Sequence, residues 1–369
     1  MSLFDLLRPG IFCLDAETAH GLAITALKSG LLPAPPTPRD SRLGLKLAGL
    51  DFPNPVGMAA GFDKNGEVPD ALLRVGFGFT EVGTLTPRPQ SGNPKPRIFR
   101  IVGKQGVINR LGFNNEGHDA ALARLRQRSG SIGLVGINVG ANKDSGDFAA
   151  DYVAGIAAFA KIADYFTVNI SSPNTPGLRN LQAGEALLRL IGLVLEERDR
   201  QAEQVKVRRP VFLKVAPDLD AGQISEIAEI AAKSHEAGGL DGIIISNTTL
   251  SRHGVEGHEN AAQAGGLSGK PLFERSTIVL ARMRLAMGNA IPVIGVGGID
   301  SAATAIAKLE AGANLVQLYT GMIYQGPMIA NTINKGILAA MTARGMSNVA
   351  QFSGLETENW AARKLPEEA

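Results

Sequence analysis

The loop Asn169-Ile170-Ser171-Ser172-Pro173-Asn174-Thr175-Pro176-Gly177 gathers hydroxyls and amides around two prolines, which stiffen what would otherwise be a soft turn. Such side chains can hold a planar ligand edge-on and take up a proton at a hydroxyl; an ordinary Ser/Asn turn is the plain alternative. Lys214 lies inside the apolar run PVFLKVA, where an unpaired ammonium is costly to desolvate. Either it snorkels to an edge, or it stands beside a group that gains negative charge, such as a reduced flavin ring. Gly297-Gly298 and Thr320, with the loop Gly265-Gly266-Leu267-Ser268-Gly269, could cradle a phosphate on backbone N–H groups. The glycine pair alone suits a bare tight turn as well; with the second loop it favours a mononucleotide. A nicotinamide dinucleotide is disfavoured, because no G-x-G-x-x-G follows an early strand with an acidic residue about 20 positions on.

These groups need a frame that brings them to one rim. Eight short apolar runs supply it: NPVGMAAG (54–61), FTEVGTL (79–85), LVGINVG (134–140), YFTVNIS (165–171), PVFLKVA (210–216), GIIISN (242–247), PVIGVGG (292–298) and LVQLYT (315–320). Runs that are apolar on both faces suit buried parallel strands. Between them lie amphipathic stretches such as 185–199 and 223–239, the second closing on a Gly pair. The expected fold is α/β, a (β/α)8 TIM barrel, with an open doubly wound sheet as the alternative. Barrel chemistry sits at the C-terminal ends of the strands. There the runs deliver Ala60-Gly61 with Lys64, Gly83-Thr84, Asn138, Asn169, Lys214, Ser246-Asn247-Thr248, Gly297-Gly298 and Tyr319-Thr320. This ring of amides, hydroxyls and ammonium groups suits a planar, amide-rich ligand. It includes no His/Glu cluster, which disfavours a metal site.

The first 40 residues read differently. Leu3, Phe4, Leu6 and Leu7 give a short apolar turn, and Asp15 can cap a helix carrying Ala19, Leu22, Ala23, Ala26 and Leu27. Gly30 ends that helix, and LLPAPPTPRD (31–40) reads as an extended linker. Charge in this segment nearly cancels, so any membrane attachment would rest on apolar burial. From pattern alone, a small helical cap on the barrel is the simpler reading. Over the whole chain of 369 residues, 37 basic and 35 acidic residues leave +2, which gives no field for nucleic acid. Cys13 is the only cysteine, which excludes an internal disulfide and an iron–sulfur cluster on this chain's own thiols, and fits a reducing cytosol. No apolar stretch reaches the roughly 18 residues of a membrane span.

The motifs GFDKNGE (61–67), EVGTLTPRPQSGNPKPRIFR (81–100), NRLGFNNEG (109–117), NISSPNTPGLR (169–179), LKVAPDL (213–219), SNTTLSR (246–252), GGLSGKPL (265–272), GVGGI (295–299) and GANLVQLYTG (312–321) closely resemble those of dihydroorotate dehydrogenases. RPGIFCLDAETAHGL (8–22) resembles the two-helix extension of the quinone-using, membrane-associated class, which raises the membrane reading above the plain cap.

The resemblance implies FMN across the barrel mouth and oxidation of (S)-dihydroorotate to orotate in de novo pyrimidine synthesis. Carried over by position, FMN would meet Ala60, Gly61, Lys64, Thr84, Asn138, Asn169, Lys214, Ser246, Gly269, Gly298, Tyr319 and Thr320. Dihydroorotate would meet Lys64, Asn109, Arg110, Leu111, Gly112, Phe113, Asn169, Asn174, Asn247 and Thr248. Ser172 stands where the quinone class keeps its base, and the soluble class has a cysteine there; Thr175 and an ordered water would accept the proton from Ser172. His20 and Arg100 would line the quinone site, with Tyr319 near its inner end. The implied organisation is a helical extension and linker (1–40), a barrel (41–345) and a tail (346–369). A monomer is expected at the cytoplasmic face of the cell membrane, reducing ubiquinone or menaquinone. Three rivals remain: a soluble-class enzyme using fumarate or NAD, a barrel isomerase or synthase for a phosphorylated sugar, and a flavin binder without turnover.

Overall fold

A computed structural model describes residues 3–32, 38, 40–128 and 133–366. Much of the expected 31–40 linker lies outside the described residues. Eight parallel strands close into a barrel: β1 (Val56–Met58), β2 (Phe79–Leu85), β3 (Leu134–Val139), β4 (Tyr165–Asn169), β5 (Val211–Val215), β6 (Gly242–Ile245), β7 (Val293–Val296) and β8 (Leu315–Leu318). Neighbours follow chain order around the ring, and β8 pairs with β1 through Val316↔Val56. The closed (β/α)8 barrel therefore holds, and the open sheet does not. Each apolar run became one barrel strand, because both of its faces are buried, one in the barrel interior and one under the surrounding helices.

The barrel is filled in layers. At the bottom, Phe79, Tyr165 and Phe212 pack edge to face in sequence, and Phe52 closes the end from an antiparallel hairpin (Leu45–Leu47 with Leu50–Phe52). Room for these rings comes from glycines on other strands: a Cβ at Gly57, Gly136 or Gly242 would lie 2.1–2.4 Å from Phe79, Tyr165 or Phe212. Above the rings the interior turns polar. Glu81, fully buried, accepts hydrogen bonds from Asn138 Nδ2 (2.7 Å), Gln317 Nε2 (2.9 Å), Thr167 Oγ1 (3.0 Å) and Tyr165 OH (3.3 Å). A buried carboxylate is tolerated where donors converge on it in this way.

Two additions cover the top. One is a three-stranded antiparallel sheet of Ile98–Ile101, Gly106–Asn109 and Gly266–Gly269, which joins the β2 and β6 loops over the mouth. The other is a helix pair, α1 (Leu3–Cys13) and α2 (Ala16–Lys28). Asp15 caps α2, its carboxylate accepting from the N–H groups of Glu17 and Thr18, as its position suggested. The short apolar turn expected at residues 3–7 is instead part of an eleven-residue helix that runs through Pro9. Tertiary packing accounts for the extra length. Phe12 meets Tyr324 edge to face at 5.5 Å, Arg8 donates to the Tyr324 carbonyl at 2.8 Å, and Phe4 packs where a Cβ on Gly326 would sit.

The stretch 346–366 forms a 3-10 turn (Val349–Phe352) and a short helix (Thr357–Ala361) that pack on the barrel wall. Trp360 is buried there, edge to face with Phe273 at 6.0 Å.

Candidate active site

A cavity of about 490 Å³ opens at the C-terminal ends of the barrel strands and extends outward between α1 and α2. Its inner wall is polar. Thr84, Asn169, Lys214, Ser246, Asn247 and Thr248 come from strand ends, Ser172 and Asn174 from the β4 loop, and Asn109, Leu111, Gly112 and Phe113 from the covering sheet and its exit. These side chains hold one another in place. Asn169 Nδ2 donates to Thr84 Oγ1 (2.8 Å), its Oδ1 accepts from Ser171 Oγ (2.8 Å), and Asn247 Nδ2 donates to Ser171 Oγ (2.9 Å). Ser172 Oγ accepts the Asn174 N–H at 3.2 Å. That contact leaves its O–H free to point into the cavity and favours negative charge developing on the oxygen.

Lys214 is buried at the base of this wall and makes no hydrogen bond to a described residue. Burial pushes its pKa below the ordinary lysine value, and the nearby Glu81 charge opposes that shift. The Thr248 hydroxyl is buried without a hydrogen-bond partner among the described residues. Buried polar groups of this kind, facing a cavity, suit a bound ligand that completes their bonding.

One end of the wall is built of backbone. Gly298 (φ +74°) and Gly269 (φ +88°) line it with Thr320 and Ser268, and Thr320 Oγ1 donates to Ser268 Oγ at 2.9 Å. A Cβ on Gly298 would lie 2.4 Å from Phe273, and one on Gly269 2.2 Å from the Gln105 carbonyl. Only glycine allows both the left-handed backbone and this close approach, which leaves a concave surface of N–H groups. Such a cradle fits a phosphate.

The outer half of the cavity is apolar. Phe4, Leu7, Ile11, Phe12, Ala23 and Leu27 line it, with Phe62, Ile98 and Met322 at its neck. At the junction of the halves, Lys64 Nζ lies 3.4 Å from His20 Nε2, and the Tyr319 hydroxyl lies 3.4 Å from His20 Nδ1. Burial first, then the Lys64 charge, pushes His20 down to about 3, which keeps its ring neutral. Burial lowers Lys64 to about 8, against opposing help from Glu17 and Asp63. Arg100 also lines the cavity and donates to the Leu14 carbonyl at 2.8 Å, with its guanidinium 5.0 Å from the Phe12 ring centre.

Nearly all residues expected at the site meet on this wall; three do not. Asn138 sits behind it, its amide engaged by Glu81, Thr84 and Asn169. Arg110 turns outward to Gln263 and the Pro96 carbonyl. Thr175 is buried behind Ser172, and its hydroxyl lacks a partner among the described residues. Sequence reading missed Ile98, which faces the cavity two residues from Arg100; strand alternation could have found it. It also missed the bond between Glu17 of α2 and Arg97, a partly buried bidentate pair at 2.7 and 3.1 Å. No local pattern marks a pair 80 residues apart. Among the described residues, no group of three or more His, Cys, Asp or Glu could hold a metal ion.

The sequence profile of the family described as dihydroorotate dehydrogenase matches residues 42–341, well over half of the chain. The chain belongs to the dihydroorotate dehydrogenase family. It is 61% identical over 364 residues to the proteins named dihydroorotate dehydrogenase (quinone) of Brucella ovis and Brucella canis, covering 98% of this chain and 99% of each relative. Alignment over 98% of the chain takes in α1 and α2, which lie ahead of the profile match. Among solved structures, it resembles the Eimeria tenella enzyme in complex with ferulenol (36% identity, TM-score 0.88, covering 95% of this chain and 98% of that one). The ligand-free form of the same enzyme is similar at 37% identity and a TM-score of 0.87, covering 93% and 99%.

Proposed function

We propose that this protein oxidises (S)-dihydroorotate to orotate in pyrimidine synthesis, with FMN as cofactor and a membrane quinone as electron acceptor. The observation that carries the reading is the joining of two unlike half-sites in one cavity, a polar mouth containing Ser172 and an apolar vestibule between α1 and α2.

FMN fits the residues present: the Gly269–Gly298–Thr320 cradle suits its phosphate, and Lys214 with Thr84, Asn169 and Ser246 suits its ring edge. Ala60, Gly61, Lys64 and Tyr319 would flank it, and Asn138 would act from behind by holding Thr84 and Asn169. Bound there, FMN supplies two-electron acceptance from the donor and return of those electrons to the quinone. Lys214 would offset negative charge on the ring, at an energy that its dry surroundings enlarge.

Ser172 would draw the proton from C5 of dihydroorotate while the C6 hydrogen departs with its electron pair. A serine hydroxyl is a poor base, so its own proton needs an acceptor. The unpartnered Thr175 hydroxyl, with an ordered water, is suited to that relay. Asn109, Asn174, Asn247 and Thr248 would fix the pyrimidine ring through its amide edges, and Leu111, Gly112 and Phe113 would close over it. Lys64 would address the substrate carboxylate. Arg110, bonded outward, would serve by anchoring that loop.

The apolar vestibule fits a quinone, with His20 and Arg100 as its polar contacts. Leu6, Leu7, Leu14, Leu22 and Leu31 are exposed, between 41% and 86%, and crowd the same helical extension. No helix among the described residues is long and apolar enough to cross a membrane. Peripheral seating through these leucines would let a quinone enter from the lipid. Exposed, unpaired Cys13 suits the reducing, cytoplasmic side. We read residues 1–40 as the acceptor module, 41–345 as the donor barrel and 346–369 as a tail stabilising it, in a monomer. Fumarate or NAD as acceptor is less favoured, since Ser172 occupies the place of the soluble class's cysteine.

Anaerobic mixing of the purified protein with dihydroorotate should bleach its flavin absorption, and ubiquinone or menaquinone should restore it. Absence of flavin, or recovery with fumarate alone, would overturn the reading.

A further inference from the structure

Behind the glycine turn after β7 lies an ionisable side chain for which the reaction above has no role. Lys308, on the helix Ala302–Glu310, is fully buried, and no carboxylate pairs with it among the described residues. Its Nζ donates to Ser276 Oγ at 2.7 Å and lies 5.1 Å from the Phe273 ring centre. Ser276 Oγ in turn lies within hydrogen-bond distance of the Gly297 carbonyl, at 3.2 Å, and of the Phe273 carbonyl, at 3.1 Å. Because Ser276 accepts from the lysine, its single hydroxyl proton is free to serve these carbonyls. β7 is shaped around this arrangement. A Cβ on Gly295 would fall 2.5 Å from Lys308 Cγ, and one on Gly297 2.7 Å from Ser276 Oγ.

The Gly297 carbonyl and the Gly298 N–H belong to one planar trans peptide, so they point in opposite directions. With the carbonyl held toward Ser276 and Lys308, the N–H faces the other way, and Gly298 lines the cavity. When protonated, Lys308 at the far end of this hydrogen-bond chain would also polarise that peptide and strengthen its N–H as a donor. Burial alone lowers the lysine's proton affinity, and an anion across the peptide would favour its charged form.

We propose that Lys308, acting through Ser276, is a positioning residue for the phosphate of the cofactor: it aims the Gly298 N–H and supplies the positive charge behind it. The inference rests on the FMN reading above and extends it to residues away from the cavity wall.

Apoprotein is titrated with FMN and, separately, with riboflavin, which has the same ring but no phosphate, by quenching of flavin fluorescence. Lys308→Met keeps the volume and removes the charge; it should weaken FMN about tenfold while riboflavin shifts by less than about twofold. Ser276→Ala, which cuts the relay and leaves the lysine, should show the same FMN-selective loss and serves if the methionine variant does not fold. Equal losses for both flavins, or no loss for either, would overturn the proposal as a structural effect or none. Wild-type protein that takes up neither flavin would instead sink the FMN reading itself, and this inference with it.

Discussion

The two halves of the cavity are built by opposite rules. The mouth is a set of short amides and hydroxyls at the ends of rigid strands, among which Thr84, Asn169, Ser171 and Asn247 bond to one another, so their positions are fixed before any ligand arrives. The vestibule is apolar, made from two helices that reach the barrel through a few attachments: Glu17 to Arg97, Lys28 to Glu67, Arg8 to the Tyr324 carbonyl and Arg100 to the Leu14 carbonyl. A polar, preorganised wall suits recognition of a small ring by hydrogen bonds. A soft apolar slot suits a hydrophobic molecule that must enter and leave. The difference implies that the two half-reactions can be damaged separately.

The strongest test of that separation is Ser172→Ala. It should slow flavin bleaching by dihydroorotate about 10²–10⁴-fold and leave quinone oxidation of pre-reduced enzyme unchanged. Stopped-flow absorbance on each half-reaction would break the comparison if both slowed together. Next comes the seam between the halves. Glu17→Gln leaves Arg97 without its bidentate carboxylate partner and should cost about 1–3 kcal/mol in chemical denaturation. It should also loosen the segment that Arg97 ties through the Ser91 and Asn93 carbonyls. A loss well under 1 kcal/mol would mean that the Glu17–Arg97 pair contributes little to holding the helices, leaving their other polar attachments and apolar packing.

Ala23→Phe fills the vestibule and should raise the KM for quinone about tenfold, with dihydroorotate bleaching unaffected. An equal rise in the KM for dihydroorotate would show that the halves are mechanically coupled. The smallest effect concerns pH. Lys64, lowered to about 8, is charged below that value and neutral above it. If it binds the substrate carboxylate, kcat/KM for dihydroorotate should be flat below pH 8 and fall above it, while the KM for quinone stays level. A limb that persists in Lys64→Met would assign the titration elsewhere.

The barrel was legible because its signal is local. Each apolar run is flanked by its own turn residues, and runs such as FTEVGTL and PVFLKVA became strands with nearly the expected bounds. The polar rim was legible for the same reason, since a residue at the end of a barrel strand has little choice of direction. Arg110 escaped this logic. It sits on a loop next to Asn109, yet its side chain turns out to Gln263, a choice made by a loop 153 residues away. Helix α1 escaped as well, for its length depends on Tyr324 and Gly326.

Strand periodicity and strand-end chemistry, both properties of neighbouring residues, determined by themselves that this chain closes a barrel and presents amides and hydroxyls at one rim. Only the tertiary structure decided that Glu81 would gather four donors at the barrel's centre, that Lys308 would lie behind a glycine turn, and that α1 and α2 would extend the polar mouth into an apolar slot. Those arrangements depend on the contact of residues far apart in the chain, where burial and charge act through space and sequence spacing carries no record of them.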